Sequence, residues 1–273
     1  MKPDEVDFLA ELMRLRAGHA IDRDKTYLME SRLSPVARRE GFGSIREMLG
    51  VVCQRNEDRL VWAVVEAMAA GETLFFRDRK PFQRFREDML PALVKARRGQ
   101  PVRVWSAGCA TGQETYSLAM IVDEEAAALD GAPVEVLGSD LSSRALEKAQ
   151  AGLYTQFEIQ RGLPIRMLVK YFEPRDEMWA LKPGLRAMPS WKRVNLNADF
   201  SALGRFDVIF CRNVAGMMEA PAARRMLEQL ARALPRDGYL VLGAGEQASS
   251  ACEAFRPLGD GIYAPDPAVA AAA

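Results

Sequence analysis

The sequence predicts an α/β fold in which an all-α N-terminal domain precedes a Rossmann-like domain. Over 102–120, an apolar run ends in a turn of small residues and is followed by a helical pattern, the opening unit of such a domain. Residues 1–95 instead place apolar side chains at helical spacing. A stretch of short strand patterns, about 152–193, interrupts the α/β alternation and predicts a small β-subdomain insertion.

Length and composition predict a globular protein. The chain has 273 residues, 49% hydrophobic and 27% charged, and 37 basic residues balance 37 acidic ones, so charge gives no argument for a nucleic-acid partner. There is no apolar run of about 18 residues and no secretory signal pattern. Four scattered cysteines without a C-x-x-C pair favour a reduced, cytoplasmic protein. With one histidine, His19, we expect no metal site and no Ser-His or Cys-His catalytic pair.

The second helical segment, 25–40, is basic and contains a proline. Pro35 either kinks one helix or, with Ser34 as a cap, starts a new one. Its basic residues include Arg32, Arg38 and Arg39. A solvated helix face is the simplest explanation for such charges, and Arg32 and Arg39 share a face at i, i+7.

The turn after the first strand predicts a ligand site. Gly108-x-Ala110-x-Gly112 lets the backbone approach a ligand over the end of the strand. No Lys or Arg follows to hold a pyrophosphate, and Glu114 would repel one. A nucleotide-like ligand without phosphates fits better, and S-adenosylmethionine (SAM) is the obvious candidate. The alternative is a plain βα turn with no ligand.

Polar residues follow two further strands of the predicted sheet. Asp140 ends the second strand, where a carboxylate commonly holds a ribose diol. It could instead cap the next helix, but Ser142 is available for that role. Arg212 and Asn213 follow an apolar run ending at Cys211, at the sheet edge where α/β folds place function.

The insertion and the linker before the first strand carry weaker signals. Met178–Leu181 and 186–188 look like two short strands joined through Lys182-Pro183-Gly184, and the α/β pattern resumes with a strand over 194–196. Phe75 and Phe76, followed by Arg77, indicate a buried anchor that places a cation at a domain junction.

Several motifs occur together in one order and spacing that resembles a known family. They are TLFFRD (73–78), VWSAGCATGQETYSLAM (104–120), SDLS (139–142), NL (195–196), FDVIFCRNV (206–214) and DGYLVLGAGE (237–246). Together they resemble the CheR-type chemotaxis receptor methyltransferases, which esterify receptor glutamates using SAM. The segment over 153–172 resembles the alphaproteobacterial branch in particular. The resemblance covers about residues 5–264.

The resemblance implies a domain division and a set of site residues. It implies a receptor-docking helical domain and linker (1–95) and a SAM-dependent methyltransferase domain (96–265, with the insertion at 152–193). The Pro/Ala-rich composition of 266–273 predicts a disordered tail. The implied SAM-side residues are Thr73, Arg77, Gly108, Glu114, Asp140, Asn195, Leu196, Arg212 and Asn213, and Arg77 also matches the proposed catalytic arginine. Arg32, Arg38 and Arg39 match the helix that docks on the acidic receptor bundle. Methyl-accepting chemotaxis receptors are thus the expected partners of a protein acting as a monomer.

One departure from the family pattern bears on activity. Met217 occupies the position of a family tyrosine that is a proposed catalytic residue. Losing one hydrogen bond to a charged group costs about 1.5–3 kcal/mol, so we expect a slowed enzyme. The alternatives are a regulatory protein that binds SAM or S-adenosylhomocysteine (SAH) without methyl transfer, and a SAM enzyme acting on nucleic acid or small molecules.

Overall fold

The computed structural model describes residues 1–55, 57–248 and 252–266. Its N-terminal part is helical. Its helices are α1 (Pro3–Ala17), α2 (Thr26–Arg39), α3 (Ile45–Arg55) and α4 (Asp58–Ala69). They share a core of apolar side chains that includes the fully buried Leu9, Leu33 and Val61. No helix in the described part of the chain combines the length and apolar character that a membrane span requires.

Helix α2 runs through Pro35 without a break. Of the two alternatives for this segment, a single helix is therefore correct. The Ser34 hydroxyl does not cap a new helix but donates to the Glu30 carbonyl oxygen one turn earlier, at 2.7 Å.

Residues 80–97 pack against the sheet rather than against the four helices before them. They form α5 (Lys80–Arg84), a π-helical turn (Phe85–Met89) and α6 (Leu90–Arg97). The rings of Phe82 and Phe85 lie 5.6 and 5.8 Å from that of Phe210 in the sheet. These aromatic contacts fix the far end of the linker to the Rossmann-like domain.

The described residues of the second domain form a seven-stranded sheet. Its strands are β1 (Val102–Ala107), β2 (Val134–Asp140), β6 (Ser190–Arg193), β7 (Val208–Cys211), β8 (Tyr239–Leu242), β9 (Phe255–Gly259) and β10 (Ile262–Pro265). The order is β6-β2-β1-β7-β8-β10-β9, parallel from β6 to β8, with β10 antiparallel to both of its neighbours. The carboxyl ends of β1, β2 and β7 therefore meet at one edge.

Helices cover both faces of this sheet. The main ones are α7 (Gln113–Glu125), α8 (Ser143–Ala151) and α12 (Ala220–Arg232). Val104 points to the face covered by Leu118 of α7, while its neighbour Trp105 points to the face covered by Leu227 of α12. The alternation follows from the two-residue period of a strand, and burial on both faces explains the nearly continuous apolar runs.

The insertion holds a separate antiparallel sheet in the order β3-β5-β4. Its elements are β3 (Leu153–Thr155), α9 (Gln156–Gln160), α10 (Ile165–Tyr171), β4 (Phe172–Arg175), β5 (Met178–Leu181) and α11 (Pro183–Arg186). The predicted strand over 186–188 is wrong, because Pro183 starts the short helix α11 instead. The strand predicted over 194–196 is also misplaced: the paired residues are 190–193, which form β6 alongside β2.

Candidate active site

A cleft of about 520 Å³ lies at the sheet edge where β1, β2 and β7 end. The ends of α1 and α4 and the linker over 71–77 close it from the N-terminal side. All the SAM-side residues predicted from the sequence line this cleft: Thr73, Arg77, Gly108, Glu114, Asp140, Asn195, Leu196, Arg212 and Asn213. The volume is in the range of small-molecule sites, about 300–1,000 Å³.

The glycine turn brings backbone to the floor of the cleft. Gly108 has a φ of 76°, and a Cβ there would lie 2.6 Å from a methyl carbon of Val214. Gly112 has a φ of 93°, and a Cβ there would lie 2.7 Å from that of Ala149 in α8. Both positions thus require glycine for conformation and for close approach.

Asp140 holds the turn as well as lining the cleft. Its Oδ2 accepts from the Ala110 N–H and its Oδ1 from the Ser142 N–H, both at 2.8 Å. Ser142 is the helix cap, as expected, because its hydroxyl accepts from the Ala145 N–H at 3.2 Å. Burial raises the pKa of Asp140, while the two backbone N–H groups favour its charged form. The carboxylate is thus fixed at the end of β2.

A buried ion pair joins Glu114 and Arg212 at the wall of the cleft. Arg212 Nη1 lies 3.1 Å from Glu114 Oε2, and Glu114 Oε1 accepts from the Ser106 hydroxyl at 2.9 Å. Arg212 Nη2 contacts Asp78 Oδ2 at 2.5 Å, and its buried Nε has no hydrogen-bond partner among the described residues. Burial raises the pKa of Glu114, and the nearby Arg212 opposes that rise.

The linker carries Arg77 into the cleft on a strained backbone. Phe75 is fully buried, and the Phe76 N–H donates to the Ser117 hydroxyl at 3.0 Å. The guanidinium of Arg77 donates to the Glu72 carbonyl oxygen at 3.2 Å. Across the described part of the chain no carboxylate pairs with it. The predicted anchor is therefore present, and it presents a cation that forms no close ion pair among the described residues, although its charge, like that of Arg212, opposes the rise that burial causes in the pKa of Glu114.

Two asparagines of the predicted set are already engaged by the protein. The Asn195 amide donates to the Arg16 carbonyl oxygen at 2.7 Å. This hydrogen bond connects the end of α1 to the loop that follows β6. Asn213, with a φ of 61°, donates its backbone N–H to Glu246 at 2.7 Å. The Glu246 carboxylate also accepts from the N–H groups of Gly216 and Gly243, so it organises the loop after β7.

Sequence reasoning gave no role to Glu246 or to His19, although both line the cleft. For Glu246, the sequence offered one indication: an acidic residue that follows shortly after the apolar run of a predicted strand. His19 lies beside Met217: the two segments form a backbone bridge, and the Ala20 N–H donates to the Met217 carbonyl oxygen at 2.9 Å. Burial, together with the charge of Arg32, lowers the pKa of His19. No sequence pattern indicated that pairing.

The basic residues of α2 lie outside the cleft and differ from one another. Arg32 donates to the carbonyl oxygens of Met68 and, at 3.1 Å, of Ala70, at the end of α4. Arg38 and Arg39 are exposed, and Arg39 pairs with the neighbouring Glu40. None of the three arginines lines the cleft, although Arg39 lines a smaller neighbouring pocket that shares Ala110 and Asp140 with it. In the described ranges no group of three or more His, Cys, Asp or Glu side chains could hold a metal ion.

Comparison with known proteins gives the family. Residues 71–263 match the SAM-binding domain of CheR methyltransferases, and residues 4–69 match the CheR all-alpha domain. The chain belongs to the CheR methyltransferase family. The predicted family, fold class, enzyme class and cofactor are confirmed.

Curated relatives align over most of their length. Chemotaxis protein methyltransferase 1 of Pseudomonas aeruginosa is 38% identical over 233 residues, 84% of this chain and 85% of its own. Chemotaxis protein methyltransferase 1 of Vibrio cholerae is 35% identical over 244 residues, 88% of each chain. A solved TehB-like SAM-dependent methyltransferase of Corynebacterium glutamicum covers 78% of this chain and 99% of its own, with a TM-score of 0.40 and 16% identity, and is too distant to inform the site.

The chemistry of the cleft suits SAM. Carboxylates at Glu114 and Asp140 complement an ammonium group and hydroxyl groups, since ionised carboxylates only accept hydrogen bonds. Apolar side chains at Leu141, Val194 and Leu196 suit a flat ring. The unpartnered Arg212 Nε is a further buried donor at the wall.

Proposed function

We propose that this chain transfers a methyl group from SAM to glutamate side chains of chemoreceptor cytoplasmic helices, giving glutamyl methyl esters in sensory adaptation. The family and the names of its relatives support a chemotaxis methyltransferase. The observation that carries the proposal for the acceptor is the state of Arg77. Of the two arginines lining the cleft, Arg212 contacts two carboxylates, while Arg77 has no carboxylate partner in the described ranges. An anionic acceptor would supply that partner, as would the carboxylate of SAM itself, so the effect of Arg77→Gln on methyl transfer is compared with its effect on SAM binding.

The chain has little acid–base work to do in this reaction. A glutamate with an ordinary pKa of about 4.3 is ionised at neutral pH, so no general base is needed. When bound, SAM supplies a methyl group already activated on a positively charged sulfur. Arg77 would hold the acceptor carboxylate in place, and the end of α1 together with the linker would limit access of water to the cleft.

We assign receptor docking to the N-terminal domain and linker (1–95), and SAM binding and methyl transfer to residues 96–265. The insertion, predicted at 152–193, is assigned only as far as 189, because Ser190–Arg193 form β6 of the main sheet. The exposed Arg38 and Arg39 provide the positive charge for an acidic receptor helix. We place the protein in the cytoplasm, as a monomer. Of the tail predicted to be disordered (266–273), 267–273 lie outside the described residues.

Met217 lines the cleft with a side chain that is 37% exposed. Its thioether is a weak hydrogen-bond acceptor and cannot donate to a carboxylate. We therefore expect transfer to be slow and to increase in Met217→Tyr, because a phenol can donate.

The test is transfer from methyl-labelled SAM to receptor cytoplasmic fragments, measured as base-labile methanol. Arg77→Gln should lower kcat/KM about 10- to 150-fold, the equivalent of one hydrogen bond to a charged group, about 1.5–3 kcal/mol. Arg79→Gln is the matched control, since Arg79 is exposed and does not line the cleft. SAM binding without transfer in wild type and in Met217→Tyr would refute the proposal and leave a silent binding protein.

A further inference from the structure

Asp78 contacts a residue of the cleft wall, Arg212, from outside the cleft. It does not line the cleft, and its side chain is 41% exposed. Its carboxylate nevertheless contacts Arg212, whose side chain is only 2% exposed. Arg212 in turn lines the cleft and contacts Glu114. A residue outside the cleft is thus one ion pair away from the ligand-facing groups.

The two carboxylates hold opposite ends of one guanidinium. Nη1 of Arg212 lies 3.1 Å from Glu114, and Nη2 lies 2.5 Å from Asp78. Because the guanidinium is planar and rigid, contacts at both terminal nitrogens fix its orientation. They also divide one buried positive charge between two negative ones. Removing Asp78 would leave Glu114 as the sole carboxylate contacting Arg212 in the described structure.

The same contact holds the backbone that carries Arg77. Phe76, Asp78 and Arg79 have φ values of 49°, 63° and 35°, which residues other than glycine rarely adopt. Such a conformation persists only where its surroundings enforce it. Here the enforcing contacts are the buried Phe75 ring, the Phe76–Ser117 hydrogen bond and the Asp78–Arg212 ion pair.

We propose that Asp78 is a positioning residue: its ion pair with Arg212 fixes the linker so that Arg77 projects into the cleft, and it limits the hold of Arg212 on Glu114. The first effect rests on the proposed methyl transfer, whereas the second concerns ligand binding alone. Asp78 acts through its neighbours and touches neither the methyl donor nor the acceptor.

Removing Asp78 should change the pH dependence of ligand binding in one direction, through its effect on the protonation of Glu114. The groups that face Glu114 are Arg212, Arg77, Ser106 and the buried thiols of Cys109 and Cys211. Without Asp78, Arg212 acts on Glu114 undivided and a nearby negative charge is lost, and both changes favour the Glu114 carboxylate. The acid limb of ligand binding, where Glu114 gains its proton, must then move to lower pH.

The experiment compares Asp78→Asn with wild type and with two other variants. Asp78→Glu restores the charge, and Asp88→Asn removes an exposed carboxylate of the π-helical turn, which pairs with Arg84 at the end of α5. SAH binding is measured by calorimetry from pH 5 to 9, and methyl transfer gives kcat and KM. Circular dichroism and thermal unfolding check that each variant folds.

We expect Asp78→Asn to move the acid limb of SAH binding to lower pH by half a unit or more, and to lower kcat about tenfold with KM for SAM changed less than threefold. Asp78→Glu should return both the acid limb and kcat towards their wild-type values, and Asp88→Asn should match wild type. An acid limb that does not move in Asp78→Asn overturns the inference. If that variant does not fold, Asp78→Gly is measured in its place, because glycine adopts the φ of 63° at this position without strain; an acid limb that stays where it is in wild type then overturns the inference. Wild type that binds SAH without methyl transfer refutes the proposed function, while the binding arm still decides the role of Asp78.

Discussion

Replacing Arg32 should destabilise the N-terminal helices, although its position on a basic helix indicates receptor docking. The Arg32 guanidinium donates to the carbonyl oxygens of Met68 and Ala70, at the end of α4. The last carbonyl groups of a helix have no partner within the helix, and a cation there also complements the helix dipole. Arg32 therefore ties α2 to the end of α4, directly before the linker into the cleft.

The size of the effect follows from these two contacts. A hydrogen bond from a charged donor is worth about 1.5–3 kcal/mol when buried, and the Ala70 contact is exposed, so water replaces much of it. We expect Arg32→Ala to lower the free energy of unfolding by about 2 kcal/mol. At about 2–4 °C per kcal/mol, the melting temperature should fall by about 4–8 °C.

Arg38→Ala is the matched control on the same helix. Arg38 is exposed and its side chain makes no ion pair or hydrogen bond within the described residues, so its loss should change stability by at most about 0.5 kcal/mol. Urea unfolding followed by circular dichroism should show a lower midpoint for Arg32→Ala at an unchanged m-value. Methyl transfer should show the opposite order, with a raised KM for the receptor fragment in Arg38→Ala. Equal stability of the two variants would refute the helix-end role of Arg32.

Three further perturbations test the rest of the structure. Gly162→Ala should lower the melting temperature, because its φ is +96° and a Cβ would lie 2.1 Å from the Phe75 carbonyl oxygen; Gly184→Ala, with open space around it, should not. Asp140→Asn should weaken SAH binding at least tenfold by calorimetry, and unchanged affinity would contradict a ribose contact. The lowered pKa of His19 predicts a loss of stability as pH falls below about 6.5, since the unfolded chain then takes up a proton that the folded chain resists. His19→Gln should reduce that loss in unfolding experiments at pH 5–8.

The placement of Gly108, Asp140 and the pair Arg212 and Asn213 was predictable because strand ends can be read from sequence, whereas Thr73, Asn195 and Leu196 were expected only from the family resemblance. Apolar runs end at Ala107 and Cys211, and parallel strands align their carboxyl ends, so the polar residues that follow must meet at one edge. The helical domain was equally readable, since its apolar residues keep a helical period over several turns. Both inferences use patterns longer than one element.

The sequence-based predictions fail for elements of only three or four residues and for side-chain contacts between residues far apart in the chain. Segments of three or four residues, such as 186–188 and 194–196, give too few positions to distinguish a strand from a turn. Arg32 shares its helix face with exposed residues, yet its long side chain bends back to carbonyl groups 36 and 38 residues away. The pairing of Asp78 with Arg212, 134 residues apart, likewise has no sequence signal.

The cleft is formed jointly by the two domains, and this links cofactor binding to the position of the helical domain. Its floor is the sheet edge, whereas Ala17 and His19 at the end of α1 form part of the opposite wall. Hydrogen bonds from Asn195 to the Arg16 carbonyl and from the Ala20 N–H to the Met217 carbonyl close the junction. A ligand bound there contacts both domains and must stabilise their association by its own binding free energy. Since α2, the proposed docking helix, packs on the same helical core as α1, receptor contact at α2 would act on a body that already forms part of the cleft.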